Sequence, residues 1–234
     1  MGGSVTFNSS GLNSTGNSVS GVVTFTGLGN GSVQVTITNT SAPTPVRGDI
    51  LTGFFFNIVG ATPTLTLASG TGTVVQNGQA SFTGNLLATV TNGAYQLLQN
   101  PTGTLGTNLN NVAFPYMYGV STVGDTGIFS GSLVGADELS IVAAGTNIAA
   151  NKLGGLQYVQ TTATFVLTNL PVNFDPSTQI NNVALGWGSL PDSLTAGTKV
   201  APEPATFVEM GSGLLLAAVA LHRRPKLTQP TPTP

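Results

Sequence analysis

The strongest secondary-structure signal in this chain comes from residues 18–40, which read SVSGVVTFTGLGNGSVQVTITNT. Apolar residues occupy every second position on both sides of a glycine-rich segment, residues 27–31. Successive side chains of a strand point to opposite faces, so this alternation collects the apolar side chains on one face. Two such runs joined by a glycine-rich turn predict an antiparallel hairpin with one buried face.

The sequence around this hairpin has the same β character. Residues 50–59 are apolar on both faces, which predicts a central strand. Pro115 lies among the aromatic residues of 112–120 and predicts a sheet edge or a bulge there. Residues 156–170 alternate again and predict a late strand. Turn signals recur every 8 to 12 residues or so, which predicts an all-β fold with an antiparallel β-sandwich or jelly-roll-like body.

The composition excludes several classes of function. Only 6% of the 234 residues are charged, against roughly a quarter in a typical protein. Before residue 201 the only basic residues are Arg47, Lys152 and Lys199, too few to form the basic face that nucleic-acid binding requires. The chain has no cysteine, which excludes disulfides, thiolate metal sites and cysteine nucleophiles.

The C-terminal region carries a different signal. Residues 205–221 are mostly apolar, with Glu209 the only charged residue, and as a helix these 17 residues would reach roughly 25 Å, close to the thickness of a membrane core. Arginines follow directly at positions 223 and 224, so the positive-inside rule places the C-terminus in the cytoplasm and the body outside. A buried core helix is the alternative, but such helices are usually amphipathic and this segment is apolar on every side.

Three features coincide in order at the end of the chain: Pro202-Glu203-Pro204, the apolar segment, and the pair Arg223 and Arg224. This order resembles the PEP-CTERM sorting signal over about 25 of the 234 residues. The resemblance implies that the tripeptide is recognised by an exosortase, a membrane enzyme that processes and releases its substrates, and that the arginines act as the membrane stop.

Together these features predict four segments. A β-sandwich body spans residues 1–197, of which residues 1–18 are Gly/Ser/Asn-rich and predicted to be a loose N-terminal arm or an edge strand. A linker with the Pro-Glu-Pro motif spans 198–204, a transmembrane helix 205–221, and a basic, Pro/Thr-rich cytoplasmic tail 222–234.

The predicted function follows from the resemblance. It is that of an exported, non-enzymatic bacterial protein that crosses the inner membrane and resides at the cell surface or in the exopolysaccharide matrix. An exosortase is the predicted partner. A permanently anchored, uncleaved protein is the alternative fate. Residues 1–5 contain neither the basic nor the apolar part of an export signal, so we expect the natural start to lie further upstream.

Candidate catalytic and metal-binding residues are few. His222 is the only histidine and follows the apolar segment, so the body contains no Ser-His-Asp arrangement and no histidine-ligated metal. Asp137 and Glu138 are adjacent, and we interpret them as solvated loop acids; a glycoside hydrolase would need two carboxyl groups flanking a cleft. Weak calcium candidates are Asp125, Asp137, Glu138 and Asp175, without the spacing of a calcium loop. We expect no cofactor.

Aromatic residues provide the remaining candidates for a binding site. Their rings combine an apolar face with a polar tip and can form a platform for sugars; the residues are Tyr116, Tyr118, Tyr158 and Trp187. A carbohydrate-binding, lectin-like module, with or without calcium, is therefore the alternative function. Core packing is the competing interpretation, and the sequence favours it for Trp187.

Overall fold

The computed structural model describes residues 2–43, 46–87, 94–107, 113–122, 138–149, 153, 156–188 and 193–201. Residues 1–200 form one compact unit, and residues 201–234 belong to a second unit. The described elements are β1 Ser4–Leu12, β2 Ser18–Gly29, β3 Ser32–Asn39, a 3-10 helix Arg47–Asp49, β4 Leu51–Ile58, β5 Thr66–Gln76, β6 Phe82–Asn85, β7 Gln96–Gln99, β8 Gly106–Thr107, β9 Ala113–Phe114, β10 Tyr118–Ser121, β11 Ile141–Val142, β12 Gln157–Thr168, α1 Pro176–Gln179, β13 Ile180–Trp187 and β14 Ser193–Lys199. The all-β prediction is confirmed.

The hairpin predicted for residues 18–40 is formed by β2 and β3. Its turn contains Asn30 and Gly31, both with positive φ (52° and 68°), the combination that matches the twist of the flanking strands. The predicted apolar face is buried; it includes Val19, Val23, Phe25, Val33, Val35 and Ile37. The two-residue alternation therefore determines this hairpin, as the sequence predicted.

Twelve strands form one continuous sheet. Its path runs β6-β5-β12-β3-β2-β1-β14-β13-β4-β10-β7, and β11 pairs with both β12 and β4. Eight of these strands consequently make a closed circuit: β12, β3, β2, β1, β14, β13, β4 and β11. This body differs from the predicted sandwich in one respect. The β1–β14 pair continues the hydrogen bonding around the circuit, whereas in a sandwich the strands would divide into two separate sheets.

The core lies inside this folded sheet, and β4 is its central strand. Phe54 and Phe56 point to the main core, where their ring centroids lie 6.1 and 5.3 Å from that of Phe25 on β2. Phe55 points the other way, into a second cluster, with its ring centroid 4.9 Å from that of Phe114. Both faces of β4 are covered, which confirms the prediction of a central strand made from its largely apolar sequence.

The predicted loose arm, residues 1–18, is wrong. Residues 4–12 form β1, an interior strand that pairs with β2 on one side and β14 on the other. Val5 and Phe7 are buried in the main core. Only these two apolar side chains of β1 are buried, since Leu12 is exposed, and its backbone hydrogen bonds to two neighbouring strands are not visible in the composition.

Two positions, Pro115 and Thr161, interrupt the regular strands. Pro115 falls between β9 and β10, which belong to different sheets, so it separates two strands, whereas the sequence predicted a sheet edge or a bulge. In the alternation predicted for residues 156–170, Thr161 would share a face with Val159 and Ala163. Instead it has φ 65°, and the β12–β5 register shifts between Val159 and Ala163, so the alternation is broken by a bulge.

Among the described residues, no helix is long and apolar enough to cross a membrane. The predicted linker 198–204 is described only as far as residue 201. The predicted helix 205–221 and the predicted tail 222–234 lie outside the described residues.

Candidate functional site

The sorting motif predicted from the sequence lies outside the described residues, and the same is true of the membrane stop; these are Pro202, Glu203, Pro204, Arg223 and Arg224. The structure does describe the strand that precedes them. β14 is held between β1 and β13, and the N–H of Val200 donates to the carbonyl oxygen of Thr6 at 2.8 Å. Nζ of Lys199 donates to the carbonyl oxygen of Ser177 at 2.6 Å. The chain is thus fixed to the body through Val200.

The aromatic candidates are all buried. Trp187, Tyr118 and Tyr158 are 0% exposed and Tyr116 is 6% exposed. They belong to three separate apolar clusters: Trp187 and Tyr118 to the main core, Tyr116 to the cluster around Phe55, and Tyr158 to the cluster around Ile50. Among the described residues, these four rings form no shared surface that faces solvent. They pack in the core and are not accessible to a sugar.

Trp187 illustrates how firmly these rings are integrated. Its Nε1–H donates to Oγ1 of Thr195 at 2.7 Å, and Oγ of Ser9 donates to the same Thr195 oxygen at 2.6 Å. All three residues are buried. Gly21 on β2 leaves room here, because a Cβ at that position would lie 2.5 Å from Cδ1 of Leu185 and 3.5 Å from the Trp187 ring. The core-packing interpretation of Trp187 is confirmed.

The tyrosines have equivalent structural roles. The Tyr118 ring stacks on Phe56 with centroids 5.4 Å apart, and its hydroxyl donates to the carbonyl oxygen of Pro63 at 2.8 Å. The Tyr116 ring lies 5.9 Å from that of Phe55. Burial raises the pKa of both Tyr116 and Tyr118, because the phenolate would lose its hydration. Both hydroxyls therefore stay protonated at neutral pH.

Of the acidic candidates, Asp175 is accounted for by local structure. It caps the short helix α1: its Oδ1 accepts the Ser177 N–H at 2.9 Å and the Ser177 hydroxyl at 2.8 Å. The hydroxyl bond and then the backbone bond hold the pKa of Asp175 below its ordinary value, since both favour the charged form. A Cβ on Gly3 would lie within 2.2 Å of this carboxylate, so glycine there permits the close approach.

Glu138 is not the solvated loop acid that the sequence predicted. It is 6% exposed, and its Oε2 is buried without a hydrogen-bond partner among the described residues. The neighbouring Leu139 has φ 63°, an uncommon conformation for a branched residue, and Oγ1 of Thr122 donates to the Glu138 carbonyl oxygen at 2.7 Å. The prediction of a solvated acid at this position is therefore wrong.

The four calcium candidates are not brought together by what the structure describes. Asp125 and Asp137 lie outside the described residues, while Asp175 adjoins α1 and Glu138 adjoins β10. Within the described ranges, no group of three His, Cys, Asp or Glu side chains is placed to hold a metal ion.

A buried polar cluster around Asp49 was missed by the sequence analysis. Asp49 is 5% exposed, and its Oδ1 accepts from Nδ2 of Asn13 at 2.6 Å and from Nδ2 of Asn17 at 3.0 Å. Oδ1 of Asn13 in turn accepts the backbone N–H groups of Thr15 and Asn17. These bonds fasten the connection between β1 and β2 to the 3-10 helix.

Asn39 extends this cluster to β11. Its Nδ2 donates to the carbonyl oxygen of Ile141 at 2.9 Å and to that of Asp49 at 3.3 Å. Asparagine amides thus supply hydrogen bonds to a buried carboxylate, which lowers the cost of its burial. The only sequence signal was an Asn-rich turn followed 32 residues later by an aspartate, which does not by itself predict contact.

Comparisons with protein-family models, with curated proteins and with solved structures gave no match.

Proposed function

We propose that this chain is an exported, non-enzymatic protein of the bacterial cell surface or exopolysaccharide matrix, sorted by an exosortase. In this proposal the β body lies outside the inner membrane, residues 205–221 span it as a helix, and residues 222–234 remain in the cytoplasm. The enzyme reads Pro202, Glu203 and Pro204 as a substrate, and these residues catalyse nothing themselves.

The observation that carries the proposal is the order of the three C-terminal features: the Pro-Glu-Pro tripeptide, the apolar segment, and the arginine pair. Each feature alone would be weak. Pro204 suits the first turn of a helix, because the amide hydrogen that proline lacks would have no partner there. Arg223 and Arg224 favour the cytoplasmic side of a membrane.

The body supports a structural role more than a catalytic one. Histidine and cysteine are missing from residues 1–221, and the charged residues are sparse. The aromatic side chains that would form a sugar platform are packed in the core. What remains is a closed, largely neutral β body whose last strand ends immediately before the tripeptide.

Mass spectrometry of the mature C-terminus from native cells tests the proposal. We expect a chain that ends upstream of residue 205 and is recovered outside the inner membrane. Glu203→Ala should leave the full-length chain in the membrane fraction, because the tripeptide is no longer recognised. Glu209→Ala makes the same chemical change inside the apolar segment and should be processed like the wild type.

Three results would contradict parts of the proposal. A native chain in the cytosol that still ends at Pro234 excludes sorting altogether. Normal processing of the Glu203→Ala variant excludes recognition of the tripeptide. Recovery of the intact chain from the membrane, in wild type and variant alike, would indicate a permanent anchor.

A further inference from the structure

The two ends of the strand path differ in how they are protected. At one end is β7, where the side-chain amide of Gln99 pairs with the backbone of Leu65. Oε1 of Gln99 accepts the Leu65 N–H at 2.8 Å, and Nε2 donates to the Leu65 carbonyl oxygen at 3.1 Å. A side chain thus supplies the pair of hydrogen bonds that a neighbouring strand would make, and this end of the sheet is partly covered.

At the other end, β6 is exposed. Among the described residues it pairs only with β5. Ser81, Thr83 and Asn85 are exposed, and Phe82 keeps 50% of its surface in solvent.

The direction of the β6 backbone groups follows from one bond. The N–H of Leu86 donates to the carbonyl oxygen of Gly70 on β5 at 2.8 Å. Backbone groups of an antiparallel strand alternate between its two sides. Phe82 and Gly84 therefore direct their N–H and C=O groups toward β5, and Thr83 directs its groups outward. An outward row of unpaired groups is a template for another strand.

Two common safeguards of a sheet edge, charged side chains and proline, are missing from the sequence around β6. Natural edges are commonly guarded by lysine, by other charged side chains or by proline. Residues 50–124 contain no Asp, Glu, Lys or Arg, and no proline occurs between Pro63 and Pro101. A contact between two copies brings the same sequence to both sides, so a charged edge would repel itself and a neutral edge does not. The net charge of only −2 adds little repulsion at longer range.

We propose that β6 is a self-association edge, at which two copies of this chain pair their β6 strands antiparallel about a two-fold axis. Such a contact is isologous, because each copy contributes the same strand. β6 has four residues, so the contact alone is far smaller than a standard stable interface. The association is consequently weak and depends on protein concentration. It rests on the sheet edge and not on the sorting signal.

Two substitutions of Thr83 test the edge. Thr83→Pro removes an outward N–H and leaves the inward bonds to β5, and Thr83→Lys places a charge on each side of the contact. Asn8→Lys is the matched control, because Asn8 is exposed on β1, a strand already paired on both sides. Sedimentation velocity of the full chain in one detergent should show concentration-dependent association of the wild type and Asn8→Lys. Both Thr83 variants should associate at least about tenfold more weakly.

Cross-linking provides a second readout. The chain has no cysteine, so Thr83→Cys and Asn8→Cys each introduce a single thiol. A short bismaleimide should join two copies through position 83 and not through position 8. The emission of Trp187, the only tryptophan and fully buried, verifies that each variant is folded.

The proposal is overturned if the wild type stays monomeric over the whole concentration range. It is also overturned if a folded Thr83→Pro variant associates like the wild type, or if the two cysteine variants cross-link equally.

Discussion

Phe25→Ala is the sharpest test of the core, because the chain provides a matched control in Phe82→Ala. The Phe25 side chain is fully buried on β2, and its ring packs edge-on against Phe7, Phe54 and Phe56 with centroids 6.2, 6.1 and 5.3 Å away. The same substitution at Phe82 removes a ring that is already 50% exposed at the sheet edge.

The expected magnitudes follow from this difference in burial. Truncation of a buried phenylalanine lowers the free energy of unfolding by about 3–5 kcal/mol, because the ring's transfer free energy is lost and a cavity remains. Phe25 joins the two facing parts of the sheet, so we expect the upper part of that range. For Phe82→Ala we expect about 1 kcal/mol or less, as for substitutions near the surface.

Urea unfolding followed by Trp187 emission measures both values. This residue is the only tryptophan and is fully buried on β13, so its emission reports unfolding of the body. The midpoint should fall strongly for Phe25→Ala while the slope m stays constant. If the two variants lose the same free energy within about 1 kcal/mol, the assignment of Phe25 to the core that joins the sheet halves is refuted.

Three further predictions concern single contacts. Thr195→Val should lower the free energy of unfolding by about 1–3 kcal/mol, because Nε1–H of Trp187 loses its acceptor, and denaturant unfolding measures this loss. Asp175→Asn keeps a side chain that can cap α1 but removes the carboxyl group that titrates. The folded pKa of Asp175 lies below its unfolded value, so the charged carboxylate stabilises the wild type above the unfolded pKa. That contribution is lost as the pH falls through the folded pKa, and acid unfolding curves should show this component in the wild type and not in the variant. Gly53→Ala should lower the unfolding free energy by about 1–3 kcal/mol in thermal or urea denaturation, since its Cβ would lie 2.7 Å from a backbone oxygen of β10. An unchanged midpoint would contradict that close approach.

Strands with a regular apolar pattern could be predicted from the sequence. A strand or a bulge without such a pattern could not. The hairpin of β2 and β3 and the central strand β4 were predictable, because one has a strict two-residue alternation and the other is apolar on both faces. β1 has too few apolar residues for either pattern, and its place depends on pairing with β14 from the other end of the body. The bulge at Thr161 depends on β5, which the local sequence of β12 does not encode.

The candidate site residues likewise include some whose environment the sequence predicted and some whose environment it did not. Composition correctly favoured core packing for Trp187, since a large ring in a β body is usually buried. The burial of Glu138 and the buried polar cluster around Asp49 were not predictable, because each requires partners that are far apart in the sequence. Asn13 and Asp49, for example, are separated by 36 positions and joined by a 2.6 Å bond.

The pairing of β1 with β14 has a mechanical consequence. Phe7 lies opposite Lys199 and Ser9 opposite Gly197, so the chain enters and leaves the body at the same end of two antiparallel strands. Tension between residues 4 and 199 would pull these strands apart from that end and break their hydrogen bonds one after another. Two strands loaded at opposite ends would resist in shear, with all their bonds sharing the force. The body should therefore open like a zipper at low force when it is stretched by its ends.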